Sequence, residues 1–350
     1  MTPKVSICVP TYNRALVLQK TIEALLNQTF SNCELIVCDD ASPDNTEETV
    51  RSFNDRRIRY YRNEKNLGLY SNWHRCMDLA VGEYIAIYHD HDVYLPTIVE
   101  RSVEMLDHYS TASFVHTALL MIDERNNPVE VGIRAFPELM PGSQMRLLLA
   151  GSWHSPVTAA TAMVRRGAYA RVGQYDYARY GLGCDLDMWF RLARVGDVAY
   201  VNEPQALIRI RQKEDQTAAF RWSEIEGRLR MRLDHQKLML GTDCRGCCSR
   251  VRYFLQRDAL LLVFMIRAIL LESPNVIDEG EDIIRSEASS WVQLVSRIVR
   301  ESVILQGLLR GLILPLHYRR ISRQIEARRR EANDYVKSNT CLCSFLCMPG

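Results

Sequence analysis

The sequence predicts an α/β fold in which a mostly parallel, twisted sheet is flanked by helices and followed by a C-terminal helical region. Short β-rich apolar runs, of which residues 5–9 are the first, alternate with segments whose apolar residues recur at helical spacing. Strands separated by helices are joined by right-handed crossovers, so they lie parallel. From about residue 218 the patterns are helical only. We therefore expect two domains, at residues 1–217 and 218–350.

The first half of the chain contains four predicted strands with a helix after each. Each strand is a short run rich in β-branched or aromatic residues, and polar residues follow it. Asp44 or Asn45 is a suitable N-cap for the second helix, which extends through Phe53. Residues 113–182 are less regular. Strands are predicted at residues 5–9, 34–38, 57–61, 84–88, 114–117, 160–164, 198–201 and 207–210, and further helices at residues 15–29, 71–80, 97–109 and 184–192.

Composition excludes several classes of protein. The chain has 350 residues, of which 47% are hydrophobic and 25% charged, as in ordinary folded proteins. Its formal net charge of +2 gives no indication of nucleic-acid binding. The first residues enter a strand pattern at once, so no signal peptide is expected. Single cysteines in apolar runs behave as small hydrophobic residues, which favours a reducing cytoplasm. They are Cys8, Cys33, Cys38, Cys76 and Cys184.

Two further cysteine groups have spacings that occur in zinc sites, although neither provides four ligands by itself. The cysteines at the extreme C terminus have acylation at a membrane as an alternative role. The groups are Cys244, Cys247 and Cys248, and Cys341, Cys343 and Cys347.

The C-terminal region leaves two interpretations open. Its apolar runs at residues 259–266 and 303–316 are too short to span a bilayer. An apolar helix followed by a basic one is typical of a membrane interface with anionic lipid. The alternative is a helical bundle that packs on the α/β domain with its arginines in solvent. The arginines after the second run are Arg319, Arg320, Arg323, Arg328, Arg329 and Arg330.

The segment after the fourth strand contains two imidazoles and two carboxylates in consecutive positions, at His89, Asp90, His91 and Asp92. Carboxylate oxygens suit Mg²⁺ or Mn²⁺, and imidazole shifts the preference toward Mn²⁺. A cation with few protein ligands needs others, and a diphosphate provides them. The alternative is a polar loop without a metal, because Asp and His are common in turns.

Two other polar clusters follow predicted strands. Residues 10–13 end the first strand, and Asp39 and Asp40 end the second. In open α/β sheets, ligands bind at the carboxyl ends of the strands. We therefore expect the three clusters to converge on one edge of the sheet, which favours a binding site over an ordinary loop.

Several motifs resemble the N-terminal signature of family 2 glycosyltransferases, in the order that the family shows. The segment from His89 to Asp92 stands where that family has an Asp-x-Asp-type metal motif, and residues 184–192 resemble its Glu-Asp motif. The resemblance covers roughly residues 3–217 and implies a GT-A fold that binds a nucleotide-sugar. The motifs are VSICVPTYNR at residues 5–14, NQTF at 27–30, ELIVCDDAS at 34–42, NLG at 66–68, Asn72, and AVGEYI at 80–85.

The resemblance implies a donor site made of residues from both ends of the domain. Pro10 and Tyr12 would lie along the nucleobase, Asp40 would accept a hydrogen bond from a ring N–H, and Asn72 would line the donor pocket. A basic segment resembles the one that ends the family's catalytic domain, where alternate residues of a strand can bind the same anion. Its cations are Arg209 and Arg211.

The metal motif departs from the family's pattern at His91, where an acid usually stands. The resemblance implies Asp90 as one ligand, with His91 or Asp92 as another. Mn²⁺ or Mg²⁺ held there would neutralise charge on the leaving nucleoside diphosphate.

The resemblance also implies a catalytic base. Asp185 matches the acid that takes the proton from the acceptor hydroxyl during attack on the anomeric carbon. Cys184 stands where the family usually has Glu. Asp187 points about 200° around the helix from Asp185, so we expect it to be a cap or a salt-bridge partner.

We therefore expect an inverting glycosyltransferase that moves a sugar from a nucleoside-diphosphate sugar, with a UDP-sugar as the first choice, to a hydroxyl of an acceptor. The acceptor would be a glycan or a lipid-linked molecule in cell-envelope polysaccharide biosynthesis. It would act in the cytoplasm or peripherally on the inner face of the membrane. One alternative is a catalytically silent, membrane-associated scaffold, which His91 and Cys184 favour and the retained acids oppose. Another is a nucleotidyltransferase or similar nucleotide-binding α/β enzyme, but residues 10–14 contain no glycine for a phosphate loop.

Overall fold

The computed structural model describes residues 2–151, 155–210, 227–228, 230–235, 293 and 314–339. The chain divides into two compact units. The first unit comprises Met1–Tyr175, Met188–Arg211 and Arg328–Gly350, and the second comprises Asp176–Asp187 and Gln212–Ala327. The domain boundary expected near residue 217 stays a prediction.

Strands and helices alternate through the first half of the chain, as the sequence patterns predict. The strands are β1 Val5–Thr11, β2 Cys33–Asp39, β3 Ile58–Arg62, β4 Tyr84–Ile87, β5 Val93–Tyr94, β6 Ala112–Ile122, β7 Pro128–Gly132, β8 Leu139–Met140, β9 Ala162–Arg165 and β10 Asp197–Arg209. In the described part of the chain, the helices with defined bounds are α1 Ala15–Leu26, α2 Thr46–Ser52, α3 Leu69–Leu79, α4 Ile98–His108, α5 Gly142–Gly151, α6 Arg166–Val172, α7 Tyr177–Tyr180, α8 Cys184–Val195 and α9 Leu314–Ser338.

The strands form a mixed sheet of ten strands in the order β3-β2-β1-β4-β9-β6-β10-β5, with β7 beside β6 and β8 beside β10. The first four strands are parallel to one another, and β10 is parallel to β6. The shorter strands β5, β7, β8 and β9 join antiparallel. The prediction of a helix-flanked α/β sheet is confirmed. Two predicted strands near the end are one strand, because register shifts around Pro204 let β10 continue past the proline.

The core of the first unit lies where α1 and α4 cover the parallel strands. Every residue of β1 is buried, as expected for a strand covered on both faces. Its alternate residues Val5, Ile7 and Val9 belong to the same apolar cluster as Leu18 and Ile22 of α1. The alternating apolar residues of β1 and the helically spaced apolar residues of α1 therefore pack in one core.

The end of α9 packs on the sheet within the first unit. Ala332 and Val336 are buried in a cluster with apolar residues of β6, of β10 and of the segment before α4. Arg328 donates to Glu130 of β7 at 2.9 Å, while Arg329 and Arg330 are exposed. This stretch therefore matches the interpretation in which the helix packs on the α/β domain and its arginines face solvent.

Among the described residues, no helix combines the length and apolar character needed to cross a bilayer. Both predicted zinc-type cysteine groups, and most of residues 218–313, lie outside the described part of the chain.

We predict that Ala332→Asp detaches the end of α9, because the new carboxylate would be buried among apolar residues without a partner. Trypsin should then cleave after residues 328–330 faster than in the unaltered protein, as followed by mass spectrometry. The matched control is Asn333→Asp, which places the same charge at an exposed position one residue away. Equal cleavage rates in the two variants would contradict the observed packing.

Candidate active site

The three predicted polar clusters meet at the carboxyl edge of the parallel strands. The Asp40 N–H donates to the carbonyl oxygen of Thr11 at 2.9 Å, and the Asn13 N–H donates to Ser42 Oγ at 2.9 Å. Thr11 Oγ1 in turn donates to Asp90 Oδ2 at 2.8 Å. The ends of β1, β2 and β4 are thus connected by direct hydrogen bonds, and the clusters form one edge.

Three side chains after β4 form a group that could hold a metal ion. One ligand atom from each of His89, His91 and Asp92 lies within 4.8 Å of the others. His89 Nδ1 is 3.1 Å from Asp92 Oδ2, and His91 Nε2 is 4.0 Å from Asp92 Oδ1. The imidazole rings stack with their centroids 5.6 Å apart. Two nitrogens and a carboxylate oxygen therefore converge.

Asp90 lies in the same segment but has different partners. Its Oδ2 accepts from Thr11, and its Oδ1 lies 2.8 Å from Arg14 Nη1 and 3.0 Å from His91 Nδ1. Burial by itself raises the pKa of Asp90, but the hydrogen bond with His91, the charge of Arg14 and the Thr11 hydroxyl together lower that pKa below its ordinary value. Asp90 is therefore an ionised group of the protein framework.

The group that the structure assembles thus differs from the predicted set by one member. The family resemblance implies Asp90 with His91 or Asp92 as ligands, and His89, although it belongs to the same run of four residues, is not in that set. The available signal was the spacing of the two histidines, which lie two residues apart. That spacing does not show which way either ring points in a turn.

Hydrogen bonds from distant elements fix the backbone of this segment. Thr21 of α1 donates its hydroxyl to the carbonyl oxygens of Asp90 at 3.1 Å and Asp92 at 3.2 Å. The His89 N–H donates to the hydroxyl of Tyr94 at 2.7 Å. The Arg209 N–H donates to Asp92 Oδ1 at 2.9 Å. The orientation of the ligand group is therefore set by α1, β5 and β10.

The predicted nucleobase residues lie beside this group. Pro10 is buried in β1, opposite Cys38 of β2, whereas the Tyr12 side chain after it is 45% exposed. Asp40 is buried, and its carboxylate accepts from the N–H groups of Leu67 at 2.8 Å and Gly68 at 2.9 Å. A third hydrogen bond comes from an asparagine amide of the same loop. Asp40 therefore holds residues 63–68 against the end of β2.

Asn72 and Arg209 are bound to the protein by their side chains. Asn72 Nδ2 donates to the carbonyl oxygen of Cys38 at 2.8 Å. The Arg209 guanidinium donates to the carbonyl oxygens of Asp123 and Glu124 and to Asn126 Oδ1, in the turn between β6 and β7. Both residues thus fix loops at the edge of the sheet. Arg211 lies outside the described residues.

Asp185 lies in the second unit, near the start of α8. Its carboxylate is half-buried, and Oδ1 accepts from the Leu186 N–H at 2.6 Å. Cys184 before it is fully buried. Asp187 is 2% exposed and lies 2.8 Å from His235 Nε2, so its prediction as a salt-bridge partner is confirmed.

Comparison with known proteins identifies the family. Residues 6–173 match the family model described as Glycosyl transferase family 2. EpsE of Bacillus subtilis is named a glycosyltransferase. It is 30% identical to this chain over 217 residues, which cover 61% of this chain and 74% of EpsE. Escherichia coli WfgD, named a UDP-Glc:α-D-GlcNAc-diphosphoundecaprenol β-1,3-glucosyltransferase, is 35% identical over 102 residues, covering 29% of this chain and 40% of WfgD.

A solved structure shares the fold. Residues 1–349 of TarS from S. aureus superpose with a TM-score of 0.58 at 17% identity, over 96% of this chain and 92% of that one. The chain belongs to glycosyltransferase family 2, has the GT-A fold and is a transferase. The expected family, fold and enzyme class are confirmed.

We predict that Thr21→Val lowers the free energy of unfolding by about 1–3 kcal/mol, because it leaves two buried carbonyl oxygens without their donor. Urea denaturation followed by tryptophan fluorescence measures the change. The matched control is Thr29→Val, whose hydroxyl also donates to a carbonyl oxygen but is exposed, so water can replace it. An equal loss in both variants would remove the structural role assigned to Thr21.

Proposed function

We propose that this glycosyltransferase moves a sugar from a nucleoside-diphosphate sugar, with UDP-sugar as the first candidate, to a hydroxyl of a glycan or lipid-linked acceptor with inversion. The observation that supports it is the group of His89, His91 and Asp92 at the edge of the sheet that also presents Tyr12 and Asp40. The name of WfgD specifies a UDP-Glc donor and a diphosphoundecaprenol acceptor, which supports this choice of substrate classes.

The residues present fit a divalent metal ion. Two imidazole nitrogens and a carboxylate oxygen suit first-row transition ions better than Mg²⁺, which prefers oxygen ligands. We assign the ligands as His89, His91 and Asp92, and we favour Mn²⁺ over Mg²⁺. Asp90 instead fixes the loop through Thr11 and Arg14. When bound, such an ion acts as a Lewis acid toward the leaving diphosphate.

The nucleobase is proposed to bind at Tyr12 and Asp40. The exposed ring of Tyr12 offers a face for stacking, and Pro10 supports the turn before it. A carboxylate accepts about four hydrogen bonds, and three donors within the protein bind Asp40, which leaves capacity for one base N–H. Asn72 then contributes to donor binding indirectly, because it binds the end of β2 and the loop that contains Asn63.

The two arginines of the basic segment, Arg209 and Arg211, have different roles in this proposal. Arg209 holds the turn after β6 and the Asp92 carboxylate in place, so its contribution to donor binding is indirect. For Arg211 the proposed contact with the diphosphate rests on the family resemblance.

Asp185 is the proposed general base. Its carboxylate takes the proton of the acceptor hydroxyl while that oxygen forms a bond to the anomeric carbon. The bond between the anomeric carbon and the diphosphate oxygen breaks at the same time, and its electron pair leaves with the nucleoside diphosphate. Attack opposite the leaving group inverts the anomeric configuration.

A lipid-linked acceptor would bring the enzyme to a membrane surface. We propose that the C-terminal region makes peripheral contact with the inner face of the membrane through the basic residues that follow its apolar runs. Packing of the end of α9 on the sheet is compatible with this contact, because Arg329 and Arg330 are exposed.

We predict that His89→Ala and His91→Ala each weaken Co²⁺ binding by more than about tenfold, since loss of an outer-shell partner alone has an effect of that size. Visible absorption of Co²⁺ during titration measures the binding without any substrate, and excess Mg²⁺ should not displace the ion. The exposed His108→Ala is the control. Loss of binding in Asp90→Asn but not in His89→Ala would contradict the ligand assignment.

We predict that Asp185→Asn lowers kcat for sugar transfer by about 10²–10⁴-fold while donor binding is retained, because Asn cannot accept the proton. Transfer is measured by product release with a panel of UDP-sugars, and donor binding by calorimetry with the intact nucleotide-sugar. Asp78→Asn, an exposed acid on α3, is the control. Unchanged transfer in Asp185→Asn would remove the base assignment.

A further inference from the structure

In the second unit, a segment late in the chain contacts the residues around the proposed base at three points. We call this segment, residues 227–235, the clamp, of which residues 227–228 and 230–235 are described. The clamp and residues 176–187 belong to the same compact unit. The proposed function assigns no role to any residue of the clamp.

The first contact is between two glycine backbones. A Cβ atom added to Gly227 would lie 1.8 Å from the carbonyl oxygen of Tyr180, and one added to Gly183 would lie 2.5 Å from the carbonyl carbon of Gly227. Only residues without a side chain allow this approach. The backbone of the clamp therefore lies directly against the turn before α8.

The second contact is at Asp234. Its Oδ2 accepts from Arg179 Nη2 at 2.7 Å, from Arg179 Nε at 3.1 Å and from the Tyr180 hydroxyl at 3.1 Å. A guanidinium that donates through two nitrogens fixes direction as well as distance. The end of α7 is thus oriented relative to the clamp.

The third contact is a buried hydrogen-bonded pair, His235 and Asp187. His235 Nε2 lies 2.8 Å from Asp187 Oδ1, and the two residues are 3% and 2% exposed. The Tyr180 ring stacks near the imidazole, with centroids 6.4 Å apart. The pair is inaccessible to solvent, so its geometry is set by the protein alone.

Helix geometry connects this pair to Asp185. Asp185 and Asp187 are two residues apart in the first turn of α8, so they point in directions about 200° apart. Asp187 faces the clamp, and Asp185 therefore faces away from it. The rotation of the helix turn about its axis decides where the Asp185 carboxylate lies, and the bond to His235 is one of the buried contacts that hold this turn.

Stability alone is a weak reason for such a pair. A buried polar pair seldom stabilises a protein more than apolar residues of the same volume, because the loss of hydration offsets the bond. Its advantage over apolar packing is direction. A directional bond is useful where a reacting carboxylate must be held within a fraction of an ångström. A misplacement of 1 Å lowers the rate about 100-fold.

We propose that His235 is a positioning residue for sugar transfer, which acts through its bond to Asp187 to place the Asp185 carboxylate. The inference rests on the proposed role of Asp185 as the base. In this proposal the clamp, which follows the α/β domain in sequence, helps to position the group that accepts the proton.

The test combines three variants with separate measurements of binding and turnover. His235→Ala should lower kcat by about 100-fold and leave donor affinity unchanged, because the displaced group is the base. His235→Gln keeps a donor toward Asp187 and should retain kcat within a few-fold of the unaltered protein. In an Asp185→Asn background, His235→Ala should cause little further loss, since two residues that act as a unit are not additive.

A buried histidine elsewhere provides the control for general loss of packing. His116 on β6 is 1% exposed, and His116→Ala should lower stability without changing kcat per folded molecule. If His235→Ala has the kcat of the unaltered protein, or loses the same factor with and without Asp185, the inference is wrong. If His235→Ala does not fold, the same comparison is made with Asp187→Asn, and an additive loss would again overturn it.

The two proposals fail in different ways. Full transfer activity in Asp185→Asn would remove the base and the positioning role together. Lost transfer in Asp185→Asn with normal transfer in His235→Ala would remove the positioning role only.

Discussion

Two buried carboxylates, Asp40 and Asp90, hold together the edge of the sheet on which the candidate active site lies. A buried charge is costly unless donors or cations surround it. Asp40 obtains its donors from residues 63–68, and Asp90 from Thr11 and Arg14. Each acid therefore ties a loop after one strand to a segment from elsewhere in the chain. The need to compensate these two charges fixes the loops at the edge of the sheet where we propose that the donor binds.

Because Asp90 is bound by Thr11 and Arg14, other residues of the segment are better candidates for metal ligands. Asp90 is bound to a guanidinium and a hydroxyl and lies outside the group whose ligand atoms converge, so the proposed ligands are two imidazoles and Asp92. This chain has His91 where the family usually has an acid, and His89 stands beside it in space. Under the proposed ligand assignment, the departure from the family's motif shifts the ligand chemistry toward nitrogen.

The second unit contains Asp185, the residue proposed as the general base. Asp185, the proposed base, is half-buried and accepts from the Leu186 N–H, while Asp187 two positions later is buried and lies 2.8 Å from His235 Nε2. A reacting carboxylate must stay available to its substrate, so its position is best fixed through a neighbour. Glycines 183 and 227 allow the required backbone approach.

The sequence by itself determined the strand–helix alternation, the enzyme family and the strand ends at which polar residues gather, because these depend on short periodic patterns and ordered motifs. It did not determine which of the four consecutive residues 89–92 converge, or that Asp187 meets His235. Those outcomes depend on bonds between residues far apart in the chain, such as Arg14 with Asp90 and Arg209 with Asp92. A turn has no fixed side-chain period, so only the tertiary contacts around it decide where each side chain points.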